Sequence, residues 1–143
     1  SHYVFYMADT YADPLGSPRA QWISPLGALK KAGVAVTVHS DAPLAPPEPL
    51  RAASVHITRA TREGGAYESA MALTPYQALE SITLDAARAI GLEAEIGSIE
   101  AGKRADFTIL GANPLSVAAS GAKWTGIPIW GVVLAGEKHP LDD

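Results

Sequence analysis

One aspartate lies where a side chain could do chemistry. Asp41 follows a β-branched run at residues 34–39 and opens a proline-rich stretch at 41–49. A carboxylate at the carboxyl end of a parallel strand can bind a divalent metal ion and exchange protons with water. The same position suits an aspartate that merely caps a turn, and position alone favours the cap by roughly three to one.

His39 is the second candidate, because it lies two residues before Asp41. In a strand, both side chains would point to the same face. His39 would then support a metal ligand through a hydrogen bond, and an ordinary core histidine is an equally good interpretation. His56 falls inside a predicted helix and is expected to be structural, whereas His139 is expected to be exposed.

The composition limits the remaining possibilities. The 143 residues are 48% hydrophobic and 18% charged, with a net charge of −4, which is typical of a globular protein. No basic run is present, which argues against nucleic-acid binding. There is no Cys, so any metal site must use His, Asp or Glu. No apolar run approaches the roughly 20 residues that span a bilayer, and residues 1–6 have no signal-peptide pattern. We therefore expect a cytoplasmic protein.

Helix and strand signals alternate in the first 92 residues, which indicates an α/β fold. Gly91 marks the last helix end in this part, and we place a domain boundary near residue 93. The predicted elements are a strand at the start, a helix at 25–31 capped by Ser24, a strand at 34–39, a helix at 50–61, a helix at 76–82 begun by a capping box at Thr74, and a helix at 84–90 capped by Thr83.

After residue 93 the pattern favours β structure. Strands are predicted around 96–99, at 107–110 and at 127–134, with a turn at 135–138. Gly97, Gly102 and Lys103 lack the spacing of a phosphate-binding loop, so a hairpin turn is the better interpretation. Asp106 is expected to bond main-chain groups near such a turn.

Several motifs together resemble the amidohydrolase superfamily, most of all its branch of metal-dependent hydrolases that includes N-substituted formamide deformylases. Two of them are the most specific: Val-His-Ser-Asp-Ala-Pro at 38–43 with the proline-rich run after it, and Gly-Ser-Ile-Glu-Ala-Gly-Lys-Arg-Ala-Asp-Phe at 97–107. The segments at 15–20, 74–79 and 83–88 also fit this branch. The motifs are colinear with the family and cover nearly the whole chain.

The resemblance implies that residues 1–92 are the end of a (β/α)8 barrel and residues 93–143 are strands of a companion β-sandwich. The seventh barrel strand would lie at the start and the eighth at 34–40. Asp41 would be a metal ligand and general base. His2, in a segment similar to the seventh-strand motif, would contact substrate or be an ordinary barrel histidine. Arg19 would bind a polar substrate group or be a solvated or helix-capping arginine.

The resemblance also implies hydrolysis of a C–N bond in an amide, formamide or cyclic amide, with zinc or a similar divalent ion. The family's paired His-x-His is missing, so we expect a carboxy-terminal fragment that binds no metal tightly by itself. Two alternatives stay open: a deaminase of a ring amidine in the same superfamily, and a non-catalytic module that self-associates. Either way we expect a homo-oligomer formed through exposed strand edges.

Overall fold

The computed structural model describes residues 2–67, 69–121 and 123–140. Within these residues the chain forms seven α-helices and three β-strands. The helices are α1 (Tyr3–Leu15), α2 (Ser17–Ala20), α3 (Leu26–Lys31), α4 (Pro49–Thr58), α5 (Pro75–Ile82), α6 (Leu84–Ala89) and α7 (Pro114–Ala119); the strands are β1 (Phe107–Leu110), β2 (Ile129–Leu134) and β3 (Glu137–Pro140). Short 3₁₀ turns lie at Ser69–Met71 and Trp124–Gly126.

The start of the chain is a helix, so the prediction of a seventh barrel strand there was wrong. The main-chain N–H groups of Phe5 and Tyr6 both donate to the carbonyl of His2, which begins α1. Val4 and Ala8 are fully buried and lie four residues apart, which places both on one helix face. The β-propensity of the first residues is outweighed by this packing, since no described strand lies beside them to pair with.

The predicted eighth strand at 34–40 is also absent from the described structure, which corrects the strongest strand prediction. A strand needs a neighbour for its main-chain hydrogen bonds, and the described sheet lies elsewhere in the chain. The segment bonds instead to α5: the N–H of Val38 and the hydroxyl of Thr37 donate to the carbonyl of Ser81, at 3.4 and 2.8 Å. Val36 anchors the segment in the core.

The predicted helices form, although some of their caps differ. At Thr74 the capping box is complete, with the Thr74 hydroxyl and the Gln77 side chain each bonding the other's main-chain N–H. Ser24 does not cap α3, because it adopts a positive φ of 48° and the helix begins only at Leu26. The hydroxyl of Thr83 donates back to Leu79 rather than capping α6.

The three strands form an antiparallel sheet in the order β1-β2-β3. Strand β1 pairs with β2 in a register that joins Phe107 to Val133, and β2 pairs with β3 across a tight turn that joins Leu134 to Glu137. The predicted strands at 107–110 and 127–134 are confirmed in substance, whereas Glu137 and Lys138 belong to a third strand rather than to the turn. Residues 96–99 form turns rather than a strand, so the hairpin expected around Gly97 does not form.

The core connects the helical part to the segment between β1 and β2. Its buried residues come from every third of the chain: Val36, Ala53, Leu73, Ala78, Trp124 and Ile127. Trp124 is 1% exposed, and its indole N–H donates to the carbonyl of Pro114 at 2.7 Å. The sheet contributes less, since most of β1 and β2 is exposed.

Candidate functional site

Asp41 lies at an exposed turn that its own backbone helps to form. It has a positive φ of 59°, and its carbonyl accepts the N–H of Leu44 at 2.8 Å. An aspartate tolerates this left-handed conformation better than most residues. Both Asp41 and His39 are exposed, and their placement on one strand face does not arise, because residues 34–40 form no strand. The carboxylate is therefore accessible to a ligand from solvent.

His2 is fully buried, and neither of its ring nitrogens makes a hydrogen bond with a described residue. Burial lowers the pKa of His2 from its ordinary value, because the charged imidazolium would lose its hydration. The main chain of Ser40 lies beside the ring and opposes this shift, although its geometry falls short of a hydrogen bond. The fold thus brings His2 against the residue that precedes Asp41.

Aromatic contacts hold the His2 ring in place. Its centroid lies 6.1 Å from that of Tyr6 in a tilted arrangement, and Tyr6 packs edge-on against Phe5 at 4.9 Å. A buried imidazole without hydrogen bonds costs free energy, so a partner outside the described residues is expected for it.

No described contact joins Arg19 to His2 or to Asp41. Its side chain is exposed and makes no hydrogen bond or ion pair with a described residue. Nearby, Arg59 has the buried, well-bonded environment that a functional arginine often has. Sequence reasoning missed Arg59, because an arginine at the end of a helix normally indicates only a solvated charge.

The guanidinium of Arg59 is fully buried and donates to three main-chain carbonyls. These belong to Gln21, Ile23 and Ser24, at 3.0, 2.9 and 2.9 Å. No carboxylate of a described residue pairs with it, and burial lowers its pKa. Arg59 thus joins the end of α4 to the turn that follows α2.

The remaining predictions about single residues have clear outcomes. His56 is buried inside α4, and His139 is exposed on β3. Asp106 accepts the N–H of Ala135 at 2.8 Å and pairs with Arg104, which confirms that it bonds main-chain groups at a turn. Lys103 bonds to Ser98 and pairs with Glu100, so this segment is a turn held by its own side chains.

The described residues fit a metal ion only in part. No group of three or more His, Asp or Glu side chains that could hold a metal occurs among them. Asp41 offers one accessible carboxylate, and a catalytic zinc site takes three protein ligands. Further ligands would therefore have to come from outside the described residues. None of the described helices is long and apolar enough to cross a bilayer.

Comparison with known proteins identifies the family. Residues 2–137 match the model of the amidohydrolase family, and the chain belongs to that family. It is 36% identical over 94 residues to the N-substituted formamide deformylase of Arthrobacter pascens. The aligned region covers 66% of this chain and 17% of that enzyme. The chain is also 43% identical over 86 residues to an imidazolonepropionase of Pseudomonas paraeruginosa. That alignment covers 59% of this chain and 19% of the relative.

Two further comparisons agree. An S-triazine hydrolase of Gordonia rubripertincta is 49% identical over 45 residues, covering 32% of this chain and 9% of that enzyme. A solved amidohydrolase of Thermotoga maritima superposes with a TM-score of 0.55 at 26% identity, covering 80% of this chain and 25% of that one. The chain thus spans about a fifth of the length of the first two relatives. These relatives are hydrolases, and the mixed helix and strand fold of this chain agrees with the solved neighbour.

Proposed function

We propose that this chain is the carboxy-terminal part of a metal-dependent amidohydrolase that cleaves a C–N bond of an amide, formamide or cyclic amide. Residues 1–92 would belong to its barrel domain, to which their described part contributes helices and no strand, and residues 93–143 would belong to its β-sandwich. The substrate is a small molecule, consistent with relatives named for formamide, imidazolone and triazine compounds. We expect the enzyme to act in the cytoplasm.

The observation that carries this proposal is the environment of His2 beside the Ser40–Asp41 dipeptide. An accessible carboxylate and a buried imidazole without hydrogen-bond partners among the described residues both lie within residues 2–137, which match the family. Asp41 would bind the metal ion and hold the proton that is later passed to the leaving amine. The divalent ion, zinc by our expectation, supplies carbonyl polarisation and activation of water when it is bound.

His2 has a separate role in the proposal. Its ring is fully buried beside the main chain of Ser40, so it would support the segment that carries Asp41 rather than contact a substrate in this conformation. His39 is exposed and adjacent to this place, and we assign it the support of Asp41 or of a metal ligand. Arg19, which is exposed, would contact only the outer part of a substrate.

Substitution of Asp41 by Asn in the full-length enzyme that contains this chain tests the proposal. The amide keeps the size of the carboxylate but loses its proton affinity and its charge. Turnover should fall about 100-fold or more, the usual contribution of a general base. Glu93→Gln, at an exposed carboxylate, is the matched control and should leave turnover unchanged. Near-normal turnover of the Asp41→Asn enzyme would refute the assignment.

A further inference from the structure

A cleft lies between α1, α4 and the 3₁₀ turn at Trp124–Gly126. Its volume is about 100 Å³, and the cleft is partly open to solvent. The polar side chains that line it are those of Arg51, Ser54, Thr58, Lys123 and Thr125, and Phe5 is the aromatic residue among them. No carboxylate is part of this lining, so its polar groups are cations and hydroxyls.

The two cations of the cleft differ in how they are compensated. The Nε of Arg51 donates to the carboxylate of Glu48 at 2.5 Å, which offsets its charge and raises its pKa. The terminal nitrogens of Arg51 make no hydrogen bond with a described residue. Lys123 is exposed and makes no ion pair with a described residue. The positive charge of Lys123 is therefore not offset by a carboxylate of any described residue.

The hydroxyl groups add hydrogen-bond donors to this charge. Ser54 is buried, and its oxygen accepts the N–H of Trp124 at 3.4 Å, while its own proton goes to no described residue. The hydroxyl of Thr125 makes no hydrogen bond with a described residue. Thr58 is already used, since it donates to the carbonyl of Ser54 at 3.1 Å. Available donors in a cleft whose lining side chains include no carboxylate favour a ligand made of oxygen acceptors.

We propose that this cleft binds a small organic monoanion, a carboxylate attached to an apolar group. The single uncompensated charge of Lys123 matches one negative charge better than the two of a phosphate. Phe5 and Val55 supply an apolar wall for the rest of the ligand, as in most small-molecule sites. The proposal does not depend on the hydrolytic function, since none of the cleft's residues is assigned a role in C–N bond cleavage.

A titration of the 143-residue chain with benzoate, followed by amide NMR spectra, tests this directly. We expect saturable shifts at Ser54 and Thr125. Lys123→Gln should weaken the affinity about tenfold, the value of one hydrogen bond to a charged group. Lys138→Gln removes an exposed lysine of β3 and should leave the affinity unchanged. Thr125→Val provides a second variant, expected to weaken binding by a smaller factor.

Two further ligands test whether the charge of the ligand and its apolar group are both required. Benzamide has the shape of benzoate without its charge and should produce no saturable shift. Inorganic phosphate should bind more weakly than benzoate. The proposal is overturned if benzamide binds as well as benzoate, if phosphate binds more tightly, if no shift saturates, or if Lys123→Gln and Lys138→Gln have the same affinity as the unaltered chain.

Discussion

Arg59 is a fully buried charged residue that bonds two separate parts of the chain. Its guanidinium satisfies three carbonyls of residues 21–24, and its backbone adopts a positive φ of 50° at the end of α4. Its main chain also bonds Tyr67, since the N–H of Tyr67 donates to the Arg59 carbonyl at 3.1 Å. A planar cation with five donors suits such a set of acceptors better than lysine does.

Replacing Arg59 by Met should therefore lower the free energy of unfolding by about 2–4 kcal/mol, because three half-buried carbonyls lose their donors. Removing a buried charge offsets part of this loss. Urea denaturation followed by circular dichroism measures the difference. Arg62→Met, at an exposed arginine near the same helix end, is the matched control and should change stability little. Equal stability of the two variants would contradict the structural role of Arg59.

At the scale of single elements, α5 begins with a complete capping box. The hydroxyl of Thr74 accepts the N–H of Gln77 at 3.2 Å, and the Gln77 side chain accepts the N–H of Thr74 at 3.0 Å. The first turn of a helix otherwise leaves its N–H groups without partners. Helix α5 contributes Ala78 to the core, so its start matters for the packing of the helical part.

Thr74→Ala should destabilise the chain by about 1 kcal/mol, the usual cost of losing a helix cap. The melting temperature and the urea midpoint both report this change. Thr83→Ala is the control, since the Thr83 hydroxyl donates to Leu79 and caps no helix. A Thr74 variant as stable as the unaltered chain would mean that tertiary packing alone holds the start of α5.

Asp106 ties the start of β1 to the turn between β2 and β3. The N–H of Ala135 donates to its carboxylate at 2.8 Å, and Arg104 pairs with it at 2.7 Å. Both interactions hold the pKa of Asp106 below its usual value, the bond from Ala135 being the larger cause. Ala135 itself has a positive φ of 51°, so the turn needs support from outside.

A lowered carboxyl pKa gives the stability a defined pH dependence. The contribution of Asp106 is present above the carboxyl pKa of the unfolded chain, about 4, and is lost as the pH falls through the lower folded value. Asp106→Asn should therefore be less stable than the unaltered chain at neutral pH, and the difference should shrink as the pH drops below about 4. Urea unfolding across this range measures it; a difference independent of pH would contradict the ion pair's role.

At the scale of the whole molecule, much of the sheet's surface is exposed and is not covered by other described elements. Strands β1 and β3 are its edges, and apolar side chains on it are exposed: Phe107 and Ile109 on β1 and Trp130 on β2, the last at 69%. Such edges pair readily with other chains. In the proposed enzyme, strands from outside this chain would cover them.

The isolated 143-residue chain should accordingly self-associate through β1. Light scattering at micromolar concentration should report a multiple of the 14.9 kDa monomer mass. Ile109→Lys places a charge on the edge strand and should shift the mass towards that of the monomer. Ile99→Lys is the control, because Ile99 is 85% exposed but lies outside the sheet, and it should leave the mass unchanged. A monomeric unaltered chain would refute the role of the edge.

The sequence by itself determined the features that depend on neighbouring residues. Thr74, Pro75 and Gln77 predicted the start of α5, and the runs at 107–110 and 127–134 predicted two of the three described strands, the second of which begins at Ile129. Family motifs around Asp41 and at 97–107 identified the superfamily. Each of these signals lies within a few residues, where capping, turn and strand preferences act.

Tertiary structure decided everything that depends on distant partners. Residues 34–39 have the composition of a strand, but strand formation requires hydrogen bonds from a neighbour, and here the segment bonds to Ser81 of α5 instead. The first residues form a helix because Val4 and Ala8 are buried together. The burial of His2 beside Ser40 and of Arg59 against residues 21–24 joins positions more than 30 residues apart. Such contacts depend on how the whole chain packs, since no local preference encodes them.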